Sequence, residues 1–121
     1  AGHIILGFPV ESKEMMLETG VAANDLGLDF LKIHQLHIVK GTVLAKRYQD
    51  EPFPLFQADE YIELVADILE RLDPEIVIQR LFGDAPDDIL IAPRWGYNIP
   101  KLTHLMDLEL NHRDTWQGKQ Y

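Results

Sequence analysis

The chain has 121 residues and no cysteine, which allows one domain with a modest core and excludes a disulfide framework or a thiolate metal site within it. Its 20 acidic against 11 basic residues leave a formal net charge of −9, which argues against a nucleic-acid-binding surface, while 46% apolar and 26% charged residues are ordinary for a soluble globular protein. No apolar run approaches the roughly 20 residues that span a bilayer and no signal peptide is visible, so the expectation is no membrane and a cytoplasmic location.

The chain opens at Ala1, without Met and almost inside a strand-like segment, which reads as a piece of a longer protein. Residues 3–8, HIILGF, form an apolar run before Pro9 and predict a buried strand closed by a tight turn. Ser12 is placed to cap a helix over 13–26, with Glu14 in the first turn and Met15, Ala22 and Leu26 on one face. Gly27 predicts a left-handed C-cap. Residues 29–42, DFLKIHQLHIVKGT, predict the central strand, with Leu31 and Ile33 pointing one way and Lys32 and His34 the other. Strand, helix, glycine turn and strand make a βαβ unit, hence a parallel sheet.

A short helix follows over 43–48 and stops before Pro52 and Pro54. The clearest helix runs over 59–72, where Tyr61, Leu64, Val65, Ile68 and Leu72 form an apolar stripe. Residues 75–82, EIVIQRLF, predict a third strand with Ile76, Ile78 and Arg80 on one face, followed by a Gly83-Asp84-Ala85-Pro86 turn. Residues 89–92 are apolar but too short to assign. Asn98 and Pro100 open a last helix in which Ile99, Leu102, Met106 and Leu110 share a face. The tail TWQGKQY has no core pattern and reads as a strap or a frayed end. Three parallel strands leave both sheet edges unpaired, so self-association of this piece, or pairing with strands outside it, is expected.

Few residues carry chemistry. Lys32 and His34 share the polar face of the central strand, which looks to solvent or into a chamber. Arg80 is either clamped to Asp84 or free to bind a carboxylate or phosphate of a substrate. His34 with His37, and His104 with His112, lack the spacing and the third ligand of a metal site, so none is predicted. Asp87-Asp88 reads as capping or solvated charge. Trp95, Tyr97 and Trp116 read as anchors for the C-terminal strap. No phosphate-binding glycine loop is present, and Ser12 and Thr42 lack the base a nucleophile needs.

The segments ILGFPVES, LKIHQLHIVKGT, VIQRLFGDAP and TWQGK, in this order, resemble the C-terminal half of a radical SAM protein of the bacterial YhcC type, related to the Elongator catalytic subunit and the oxygen-independent coproporphyrinogen oxidases. The resemblance covers essentially the whole chain. It implies an α/β fold that is part of a parallel (β/α) partial TIM-like barrel, with residues 1–48 as its last two β/α units and 49–121 as a C-terminal extension packed on it. It implies S-adenosylmethionine and a 4Fe-4S cluster in the full-length parent, the cluster being held by three cysteines of the missing N-terminal half-barrel. Reductive cleavage of S-adenosylmethionine would then lead to hydrogen abstraction from an unknown substrate, and this piece alone would be inactive. By the same resemblance Ile5, Leu6 and Gly7 belong to the adenosine pocket, Leu36 and His37 face cofactor or substrate, and Lys32 and His34 are catalytic, while Arg80, by its place on the third strand, is expected to bind substrate. The sequence departs from the usual pattern in having Val10 where a glycine often precedes the glutamate, here Glu11. The competing expectation is a non-catalytic acidic α/β module that docks a protein partner through its sheet edge.

Overall fold

In the computed structural model, which describes residues 2–121, the chain runs β1 (Gly2–Leu6), α1 (Lys13–Ala22), a 3-10 turn (Ala23–Leu26), β2 (Phe30–Gln35), β3 (Ile38–Val39), α2 (Val43–Asp50), α3 (Ala58–Arg71), β4 (Val77–Arg80), β5 (Leu90–Ala92) and α4 (Ile99–Arg113). Local chemistry sets these boundaries. Ser12, Thr42 and Asn98 each accept a first-turn amide, capping α1, α2 and α4, while Gln57 and Glu60 form a reciprocal capping box on α3. Gly27 closes the 3-10 turn at a φ of +64°, the left-handed conformation that glycine adopts without strain.

Strands β1, β2 and β4 form a parallel sheet in the order β1-β2-β4. Helices α1, α3 and α4 cover one face: Leu6, Leu31 and Ile33 are buried with Met16 of α1, Val65 and Ile68 of α3, and Leu102 and Met106 of α4. The other face is bare, with His3, Ile5 and Phe30 exposed and Lys32 and His34 half-buried. Among the described residues no helix is long and apolar enough to cross a membrane.

Three details differ from the expectations. The central segment is not one strand: β2 stops at Gln35, and β3 pairs antiparallel with β5 in a separate two-stranded sheet. Leu36 and Ile38 bury together with Ala45 in a second small core under α2, and that burial draws the chain off the main sheet. Strand β4 carries a bulge. Leu31 pairs with Ile78 but Lys32 pairs with Arg80, so the extra residue, Gln79, takes Arg80 off the face of Ile78 and sets it beside Lys32. The buried residues of α1 are Met16 and Gly20, with Ala23 following, whereas Met15 and Leu26 are exposed. The cause is Gly20, where a Cβ would stand 2.6 Å from Ile68 Cγ2, so α1 meets α3 at its glycine. Of the two readings of the tail, strap or frayed end, the structure takes the strap. Gln117 Nε2 donates to the carbonyls of Asp73 and Ile76 at 2.9 and 2.8 Å, and the Gly118 amide donates to Leu69 at 2.9 Å.

Candidate functional site

The bare sheet face is built by register. In parallel pairing, residues opposite each other share a face, which sets His3 beside Lys32 and Ile5 beside His34. The β4 bulge adds Arg80 on the far side of Lys32, so a row His3–Lys32–Arg80 crosses all three strands. His3 Nε2 and His34 Nδ1 lie 3.0 Å apart, with the rings edge to face at 4.4 Å. The His34 ring rests on Gly83, where a Cβ would come within 3.2 Å of His34 Cγ. His34 Nε2 is buried and has no hydrogen-bond partner. Burial, then the proximity of His3, Arg80, His37 and Lys32, lowers the His34 pKa below its ordinary 6.5, so the ring is neutral at pH 7. Neither Lys32 nor Arg80 makes an ion pair among the described residues.

Above this face lie the C-terminal ends of the strands. Gln35, buried at the end of β2, donates from Nε2 to the Gly83 carbonyl at 3.2 Å and accepts the Gly83 amide on Oε1 at 2.7 Å. Its side-chain amide thus stands in for a strand neighbour and ties the loop after β4 to β2. Tyr61, fully buried on α3, donates to the Leu81 carbonyl at 2.6 Å, and burial raises its phenol pKa far above the usual range. Gly7 ends β1 at a φ of +115°, a region that favours glycine. His37 lies half-buried in the turn after β2. Burial lowers its pKa and the nearby Asp84 partly opposes that. His37 and Asp84, with Arg94, Tyr97 and Asn98, line a cleft of about 650 Å³ at this end of the sheet.

The structure brings Lys32, His34 and Arg80 together on one face, with Ile5 beside them. Gly7 and His37 sit at the strand ends above. Leu6 and Leu36 do not offer side chains to this region: both are buried in cores, and the Leu36 amide is donated to the Leu6 carbonyl at 2.8 Å. The Arg80–Asp84 clamp does not form, because the bulge turns Arg80 toward Lys32 while Asp84 acts on His37. Of the aromatics read as strap anchors, Trp95 instead stacks near Tyr61 at 5.5 Å and donates to the Phe56 carbonyl at 2.8 Å. Tyr97 is exposed in the cleft wall, and Trp116 lies in the strap under the Lys119 ammonium. His3, Gln35 and Gly83 were not singled out from sequence. A histidine interrupting an apolar strand is a readable signal for His3, but only the register joins it to Lys32, and nothing local links Gln35 to Gly83. Among the described residues no three His, Asp or Glu side chains are grouped to hold a metal ion.

The profile of the radical SAM C-terminal domain matches residues 28–111. The chain belongs to this radical SAM C-terminal domain family. The domain is 39% identical over 97% of its length to the uncharacterized protein YtqA of Bacillus subtilis, and 37% identical over 99% to protein MJ0486 of Methanocaldococcus jannaschii. It is 29% identical over 88% of its length to YhcC of Escherichia coli K12, which agrees with a radical SAM C-terminal piece of the YhcC type. The chain spans 36%, 38% and 34% of these three proteins, little more than a third of each. Among solved structures, the archaeal Methanocaldococcus infernus Elp3 lacking its first 46 residues superposes with a TM-score of 0.78 at 19% identity, over 95% of this chain and 27% of that one. That likeness is one of fold, an α/β arrangement of parallel sheet and helices.

Proposed function

We propose that this radical SAM C-terminal domain forms the last strands of a partial (β/α) barrel in a radical S-adenosylmethionine enzyme, and that its bare sheet face walls the substrate chamber. One observation carries the reading: a parallel sheet has helices on one face only, and its uncovered face bears Lys32, His34 and Arg80 without counter-charges. Parallel sheets are ordinarily covered on both faces, by helices or by closure into a barrel. On this reading residues 1–48 supply the last two β/α units, 49–121 pack on them as an extension, and the parent's N-terminal half-barrel pairs with the free edge of β1.

The residues present fit the two groups of the family unequally. With no cysteine, this chain gives no thiolate to an iron–sulfur cluster, which falls to the rest of the parent. Ile5 offers an exposed apolar side chain at the end of β1, and Gly7 lets a ligand approach the backbone there, both suited to an adenosine. Leu6 and Leu36 contribute backbone alone, and His37 stands at the rim. S-adenosylmethionine, when bound at a reduced cluster, supplies the radical that takes hydrogen from substrate. The chain's own residues then bind and position: Arg80 holds substrate, His34, neutral near pH 7, gives or takes a hydrogen bond or proton at Nε2, and Lys32 supplies charge beside it.

The test is made on the full-length parent with its cluster reconstituted. Reduction in the presence of S-adenosylmethionine is expected to yield 5′-deoxyadenosine, and Lys32→Ala or His34→Ala to suppress substrate turnover while leaving the circular dichroism spectrum unchanged. Absence of 5′-deoxyadenosine from the reduced parent refutes the enzyme reading. A second reading, a non-catalytic docking module, is favoured by the exposed Phe30 and Val77 on the two neighbouring strands. It predicts that Phe30→Asp abolishes partner binding while Lys32 is dispensable.

A further inference from the structure

This inference rests on the bare face being a substrate chamber and adds the class of substrate. The parallel register and the β4 bulge line up His3, Lys32 and Arg80 side by side instead of alternating them between faces. The charged or titratable groups acting on His34 are His3, Arg80, His37 and Lys32, and no carboxylate offsets them. Yet the chain carries 20 acidic residues, and among the described residues none of them pairs with Lys32 or Arg80. His34 adds a polar atom short of a partner: its Nδ1 is engaged by His3, and its Nε2 is buried with none. Like charges gathered without a counter-charge repel one another, and low-dielectric walls focus their field onto an incoming anion.

We infer that Lys32, Arg80 and His34 form a receptor for an oxyanion of the substrate, a carboxylate or a phosphate. Lys32 is the central point charge and Arg80 presents its planar fork from the neighbouring strand. In the tautomer in which His3 Nε2 donates to His34 Nδ1, the neutral His34 carries its proton on Nε2, the donor from which an oxyanion would accept. The role of Lys32 on this account is binding rather than proton transfer. A metal ion is the wrong occupant, because the cluster is cationic and holds no carboxylate.

The experiment follows thermal unfolding of the full-length parent in inorganic phosphate and in malonate, against chloride at equal ionic strength, with and without saturating S-adenosylmethionine. Phosphate or malonate is expected to raise the Tm beyond chloride. Lys32→Gln and Arg80→Gln should each weaken that response by about tenfold in anion concentration, the effect of removing one charge-assisted contact. Lys32→Arg should keep most of it. No response beyond chloride, or a response in both glutamine variants as strong as that of the wild type, overturns the receptor. A response abolished by S-adenosylmethionine assigns the seat to the methionine carboxylate of that molecule and overturns the substrate assignment. Reductive cleavage of S-adenosylmethionine is measured separately. Cleavage without an anion response defeats the receptor alone, and an anion response without cleavage supports the receptor and defeats the radical reading.

Discussion

Gln35 is the buried polar side chain on which the geometry of the strand ends depends, and it is answered on both sides by Gly83. Replacing it with Leu keeps the volume but leaves the Gly83 amide and carbonyl buried without partners, a loss of about 2–4 kcal/mol measurable by urea unfolding. The substitution should also loosen the His34 ring, which rests on Gly83, and change the His34 imidazole resonances. A second residue-scale effect is pH dependence. Burial lowers both His34 and His37 below the ordinary 6.5, so below that pH the unfolded chain binds more protons than the folded one. Their contribution is constant above 6.5, and stability falls as the pH drops from there through the folded-state midpoints. Unfolding midpoints measured across this range should decline with acidification, and less steeply in a His34→Asn, His37→Asn double variant. Stability that rose on acidification would contradict the placement of both rings. The sequence displayed these histidines but not their burial, since His34 owes its environment to His3 and Arg80, 31 and 46 positions away (34 − 3 and 80 − 34).

At the scale of elements, helices α3 and α4 are joined by Arg113. Its guanidinium lies 2.8 Å from Asp67, 3.1 Å from Glu70 and 2.9 Å from Glu109, and donates to the Glu63 carbonyl at 3.1 Å. Burial works against its charge, but the hydrogen bonds it donates to Asp67, Glu109 and Glu70 outweigh it and hold the group firmly protonated. Arg113→Ala leaves three carboxylates facing one another and should cost about 2–3 kcal/mol, a value reduced from that of a fully buried pair by their partial exposure. Arg113→Lys should recover only part, because an ammonium lacks the fork. Equal stability of wild type and the alanine variant in urea would show that packing alone holds α4. The starts of α1 and α4 and the stripe of α3 were legible because Ser12, Asn98 and the apolar residues of α3 act within a few residues of one another, whereas the caps of α2 and α3 were read only from the structure. The face of α1 was not, because Gly20 is an ordinary helix residue until Ile68 approaches it.

At the scale of the molecule, the sheet has one bare face and two free edges. Ile5, Phe30 and Val77 are exposed on it, and the backbone edge of β1 has no partner strand within the described residues. The isolated chain is therefore expected to self-associate, burying this surface, and sedimentation velocity over a concentration series should detect species larger than the monomer. A monomer throughout would mean that polar groups on the face suffice to keep it in water. The sequence by itself determined the α/β class, the parallel βαβ unit, most helix boundaries and the family, because period, caps and glycine turns are local and motif order survives without coordinates. Only the tertiary structure decided that β3 leaves the main sheet for β5, that a bulge carries Arg80 to Lys32, and that Gln35 closes on Gly83. Each of these depends on register between segments distant in the chain, and register is set by packing over the whole sheet rather than by the residues of any one strand.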